Sequence, residues 1–126
     1  MEFIDPHIHV DTRNYEDMVE ISQKGIKAMI SPAYVMLPAY DAKTILDATD
    51  HLIGMIKPTY DRFFIRLFAA VGMNMLMLPK DYERVLEMYP KYIEEVEQVV
   101  AIGEVGLDPR DPKKLGFVAE TAVPTS

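Results

Sequence analysis

The chain has 126 residues, a net charge of −7, 49% hydrophobic and 26% charged residues, and no cysteine. That is one domain's worth of core and a globular balance. It excludes disulfides and thiolate metal sites, and it argues against loose binding to nucleic-acid phosphate. With no apolar run long enough to span a bilayer and acidic Glu2 and Asp5 in place of a basic leader, a cytoplasmic protein with no membrane partner is expected.

In chain order, residues 2–9 read as a first strand. Asn14, followed by Asp17, caps a helix from Tyr15 to about Lys24, which stops at Gly25. Ile26–Ser31 is a short apolar strand ending at Pro32, and 33–40 is a loop. Asp41 caps a helix from about Ala42 to Ile56, broken at Pro58, and Tyr60-Asp61-Arg62 starts a further short helix or turn. Arg66–Gly72 is a third strand and Met73–Leu78 a Met-rich loop. A helix over about Asp81–Gln98 carries Leu86, Tyr89, Ile93 and Val96 on a buried stripe, with Pro90 as a kink or division. Val99–Val105 is the fourth strand. The order βαβαβαβ, with strands apolar on both faces, predicts an α/β fold with a parallel sheet and right-handed crossovers. Gly116–Ser126 fits neither a helix nor a strand.

Chemistry-bearing residues collect where such strands end. His7 and His9 close the first strand, Asn74 follows the third, and Glu104 closes the fourth within Gly103-Glu104-Val105-Gly106-Leu107-Asp108. On a strand, positions i and i+2 share a face, about 7 Å apart along the axis. Both imidazoles can then reach one ion, and Asp5 shares that face. Two neutral imidazoles and a carboxylate suit a borderline divalent ion such as zinc, manganese or iron. Asp5 fits a role fixing the strand-one backbone or orienting a histidine rather than binding metal directly, and Asp108 either that role or a turn. Arg13 and Arg110 lie on loops after the first and fourth strands, where a guanidinium can clamp phosphate, although solvated loop arginines are commoner. His51 reads as a structural helix residue, the Met73, Met75, Met77 cluster as packing, and Glu94–Glu97 as a solvated face.

Asp5-Pro6-His7-Ile8-His9 and Gly103-Glu104-Val105-Gly106-Leu107-Asp108 resemble two signatures of the TatD-related metal-dependent hydrolases, amidohydrolase-like TIM barrels. The resemblance covers residues 2–115, so the domain is drawn as 1–115, about half of a TIM barrel, with 116–126 an irregular tail. It implies a divalent metal cofactor (zinc, manganese or magnesium) held by His7, His9 and Glu104, with Glu104 also catalytic. It further implies phosphodiester or nuclease-like hydrolysis; by their places after the strands, Arg13, Asn74 and Arg110 are the candidates for contacting such a substrate. Two departures stand out. Gly72-Met73-Asn74-Met75 replaces the Gly-X-His-Pro of many relatives. The family's further ligands come from strands five, six and eight, beyond the four strands read here. The chain therefore reads as a truncated or split N-terminal half that needs completion, by a second copy in a homodimer or by a complementary C-terminal half-barrel chain. The alternatives are an inactive fragment acting as a weak metal-binding or assembly module, and a phosphoesterase of another His-X-His barrel family.

Overall fold

The computed structural model describes residues 1–33, 41–74 and 78–105. Four strands, β1 (Phe3–Asp5), β2 (Ile26–Pro32), β3 (Arg66–Val71) and β4 (Val99–Ile102), form one sheet in the order β1-β2-β3-β4. Every pairing is parallel. Between them run a short 3₁₀ turn (Val10–Thr12) and α1 (Tyr15–Gln23), then α2 (Ala42–Gly54) and α3 (Ile56–Phe63), then α4 (Glu83–Glu95). The α/β reading therefore holds, and the sheet is not closed. Strands that neighbour in sequence also neighbour in space, so each crossover of the usual hand puts its helix on the same face.

That face holds the core. Met29, Leu67, Ala69 and Val71 point from the sheet into it and meet Val10, Met18, Ile45, Leu52, Val85 and Tyr89. By contrast, Ile4 on edge strand β1 is 70% exposed and Val100 on edge strand β4 is 51% exposed. Among the described residues, neither β1 nor β4 has a strand on its outer side.

Local chemistry sets most element ends. The Asn14 side chain accepts from the Asp17 N–H, and Asp17 accepts from the Asn14 N–H, a reciprocal cap that starts α1 where expected. Gly25 ends that turn at φ +92°, a left-handed angle that suits glycine. Asp41 caps α2 by accepting from both the N–H and the hydroxyl of Thr44. These bonds hold its carboxyl below the usual value.

Four expectations are corrected. The first strand stops at Asp5, and the fourth at Ile102, so His7, His9 and Glu104 lie beyond strand ends. The α2 break falls at Met55, and Pro58 sits in the first turn of α3, where a missing N–H costs nothing. The last helix starts at Glu83 because Asp81 is used elsewhere: its carboxylate accepts from the Ala42 N–H at 2.7 Å, joining the starts of α2 and α4. The stripe of α4 is Val85, Tyr89 and Tyr92, while Ile93 is 42% exposed. Tyr92 replaces it because its hydroxyl finds Asp50 on α2 at 2.7 Å, which makes burying a phenol affordable. Pro90 stays inside one continuous helix, on its exposed side.

Candidate metal centre

The segment after β1 is held by its neighbour strand. The Ile8 N–H donates to the Ile30 carbonyl at 3.1 Å, and the Val10 N–H to the buried Ser31 hydroxyl at 3.1 Å. Ile8 and Val10 go into the core, so the alternate residues His7 and His9 turn outward together. The period of two thus survives although the segment is not a strand. The Asp5 carboxylate accepts from the His7 backbone N–H at 3.0 Å, and so fixes the turn at Pro6 rather than either imidazole.

Glu104 arrives from the other edge. The Gly103 N–H donates to the Val71 carbonyl at 2.9 Å, extending the β3–β4 pairing past the end of β4. This approach requires glycine at 72: a Cβ there would lie 2.5 Å from the Gly103 carbonyl oxygen and 3.1 Å from the Glu104 nitrogen.

The three side chains converge. Glu104 Oε1 lies 2.9 Å from His7 Nε2 and 3.8 Å from His9 Nε2. The imidazoles stand edge to face with centroids 5.3 Å apart. One potential ligand atom from each residue falls within 4.8 Å of the others. His9 Nδ1 lies 3.2 Å from the Pro32 carbonyl oxygen. A carbonyl only accepts, so Nδ1 donates in that contact, and Nε2 is the nitrogen that faces Glu104.

This donor set fits a divalent ion. Two ligands at bond lengths of about 2.0–2.2 Å stand about 3.3–3.6 Å apart around a tetrahedral ion. The 2.9 Å and 3.8 Å separations of Glu104 Oε1 from the two imidazole nitrogens bracket that spacing. One histidine already has its outer nitrogen committed to a backbone carbonyl, the usual way a protein fixes a ligating imidazole. No cysteine competes.

The other candidates divide. Arg13 follows the 3₁₀ turn as its cap, exposed and four residues past His9. Asn74, half-buried, follows β3. Asp108, Arg110, Gly106 and the 115/116 boundary lie outside the described residues. The sequence reading missed Ser31 and the Pro32 carbonyl, which hold the histidine segment from β2. It also missed the clearance role of Gly72. No local signal marks them, because each acts across a strand boundary.

No family model matches the sequence. The chain is 32% identical over 104 residues to an uncharacterized metal-dependent hydrolase of Methanocaldococcus jannaschii, covering 82% of this chain and 41% of that protein. Its fold superposes on the crystal structure of a TatD-like protein from Archaeoglobus fulgidus with a TM-score of 0.78 and 25% identity, covering 94% of this chain and 48% of that one. This chain is TatD-related. It spans less than half the length of either relative. As a TatD-related chain it places the two histidines and the glutamate at the carboxyl-terminal rim of its parallel sheet, the position such folds use for chemistry. Among the described residues no helix is long and apolar enough to cross a membrane.

Proposed function

We propose that the chain is a metal-dependent hydrolase acting on phosphodiesters, with His7, His9 and Glu104 as ligands to a divalent ion (zinc, manganese or magnesium). The observation that supports it most is the convergence of one atom from each of these three residues within 4.8 Å. A divalent ion at such a site polarises a phosphoryl oxygen and lowers the pKa of water. His9 contributes Nε2, its ring oriented by the contact between Nδ1 and the Pro32 carbonyl. His7 contributes the more exposed imidazole, with a side chain 56% accessible. Glu104, with one oxygen turned toward the histidines, has its second oxygen to accept a proton from the attacking water. Arg13 and Asn74, with Arg110, supply contacts to the phosphate, and Asp5 fixes the turn that leads into the histidines.

The test is metal analysis of the purified chain together with hydrolysis of an aryl phosphodiester. One bound divalent ion per site and metal-dependent turnover, both lost in His9→Ala and Glu104→Ala, are expected. A correctly folded chain that takes up no divalent ion overturns the reading.

A second reading, assembly, draws on the exposed apolar positions Ile4 and Val100 on the unpaired edge strands. Closing a barrel removes both edges. In a homodimer, β1 of each copy would pair with β4 of the other; a complementary half-barrel chain would do the same. A weak metal-binding or assembly module without turnover is the alternative function. Native mass measurement decides it: a strict monomer that is active with metal removes assembly as a requirement.

A further inference from the structure

Ser31, fully buried in β2, sits inside a closed hydrogen-bonded circuit. Its hydroxyl oxygen accepts from the Val10 N–H at 3.1 Å and donates to the Pro32 carbonyl at 3.2 Å. The same carbonyl lies 3.2 Å from His9 Nδ1. The path therefore leaves the backbone just after His9, crosses to Ser31, passes to Pro32 and returns to the His9 ring. A hydroxyl suits this place because it has one proton to give and lone pairs to receive with. An alanine offers neither.

The two arms of the circuit constrain different parts of one residue. The Val10 arm fixes where the chain leaves His9, and so where its Cα lies. The Pro32 arm fixes the carbonyl that the ring meets, and so the rotation of the imidazole about its side-chain bonds. His7 has only the first kind of support: the Asp5 carboxylate accepts from its backbone N–H. Among the described residues, the polar and ring contacts of its imidazole are with Glu104 and with the His9 ring, both inside the site. Its side chain is 56% accessible, against 24% for His9. His9 is thus the imidazole whose aim is set from outside the site, and Ser31 touches both groups that set it.

We propose that Ser31 is a positioning residue for the metal centre. Its hydroxyl holds the Pro32 carbonyl and the backbone after His9 in the arrangement that turns His9 Nε2 toward Glu104. The proposal rests on the reading of His7, His9 and Glu104 as ligands. Without the hydroxyl, the Val10 N–H loses its acceptor, the carbonyl loses one of the groups that fix its direction, and the ring samples other rotamers. Binding then draws only on the fraction of chains with the aimed ring, and the apparent affinity falls by that fraction. Removing a group that orients a ligand lowers metal affinity by about 10–100-fold.

The test reads the His9 ring and zinc binding separately. The first readout is nuclear magnetic resonance of the protein labelled at histidine nitrogen, in EDTA at about pH 8, above the ordinary imidazole pKa of about 6.5. The wild type is expected to show a slowly exchanging His9 Nδ1–H. Ser31→Ala is expected to lose that signal and to bind zinc about tenfold or more weakly in a competition titration. Ser31→Thr, which keeps the hydroxyl, is expected to keep both. Tyr92→Phe removes a different hydrogen bond, on α4, and is expected to leave both readouts unchanged, which separates positioning from a general loss of stability. A wild-type His9 Nδ1–H that exchanges freely with water overturns the proposal, and this result needs no variant to fold. A folded Ser31→Ala with wild-type zinc affinity also overturns it. A wild-type chain that shows the protected Nδ1–H and takes up no zinc instead overturns the ligand reading, so the two failures are distinct.

Discussion

Replacing Gly72 by alanine tests the architecture of the metal centre without touching a ligand. The added methyl would sit 2.5 Å from the Gly103 carbonyl oxygen, 2.7 Å from its carbon and 3.1 Å from the Glu104 nitrogen. Normal contacts between such atoms lie near 3.5–4.0 Å, so about 1 Å of relief is needed. All three atoms are backbone, and no side-chain rotamer can supply it. The Gly103–Glu104 segment must move away from β3, stretching the 2.9 Å bond from the Gly103 N–H to the Val71 carbonyl. Glu104 Oε1 moves with it, away from His7 and His9. Overpacking of this kind costs about 1–3 kcal/mol. The gain from stiffening the unfolded chain, about 0.4–1 kcal/mol, offsets part of it. A net destabilisation of about 1–2 kcal/mol follows. Displacing a ligand's support lowers metal affinity by about 10–100-fold. Calorimetric titration with zinc or manganese and urea unfolding measure the two effects. Gly54→Ala is the control: nothing lies within 4 Å of its added Cβ, in the last turn of α2, so alanine there stabilises by up to about 1 kcal/mol. A Gly72→Ala variant with wild-type stability and metal affinity would refute the claim that this close approach positions Glu104.

The two buried tyrosines of α4 should respond in opposite directions. The Tyr89 hydroxyl is buried with no hydrogen-bond partner among the described residues, so Tyr89→Phe is expected to be neutral or to stabilise, by up to about 1–3 kcal/mol. Tyr92 donates to Asp50, so Tyr92→Phe is expected to cost about 1 kcal/mol; urea midpoints of both variants check the pair. Burial pushes both phenols up, and in Tyr92 the Asp50 bond adds to this. The folded state holds the neutral form, so the associated stability is full below the ordinary value of 10.0 and falls as pH rises past it. Unfolding followed between pH 9 and about 12 should show that loss, and Tyr89→Phe should reduce it. At the acid end, Asp41 is held below 3.8 by Thr44. Its capping contribution is present above that value and lost as pH falls through the lower folded one, so Asp41→Asn should flatten the acid limb of the same titration.

The alternation of apolar strands with capped helices is enough to order four parallel strands, because caps such as Asn14 and Asp41 and stops such as Gly25 act within a few residues of themselves. His7, Ile8, His9 and Val10 also declare their outward and inward faces locally, since burying Ile8 and Val10 leaves the imidazoles no other side. Residues beyond a turn's reach behave differently. Tyr92 takes the buried place expected for Ile93 only because Asp50 waits on another helix. Asp81 leaves its own helix to serve Ala42. Ser31, Pro32 and Gly72 matter to the metal centre solely as neighbours across strands. Short-range hydrogen bonding and side-chain period are written into consecutive residues, so the sequence by itself determined the elements, their order and the three converging side chains. Distances between strands and helices depend on how whole surfaces pack, and only the tertiary structure decided which nitrogen of His9 faces the site, how closely Glu104 approaches it and what lies beside it.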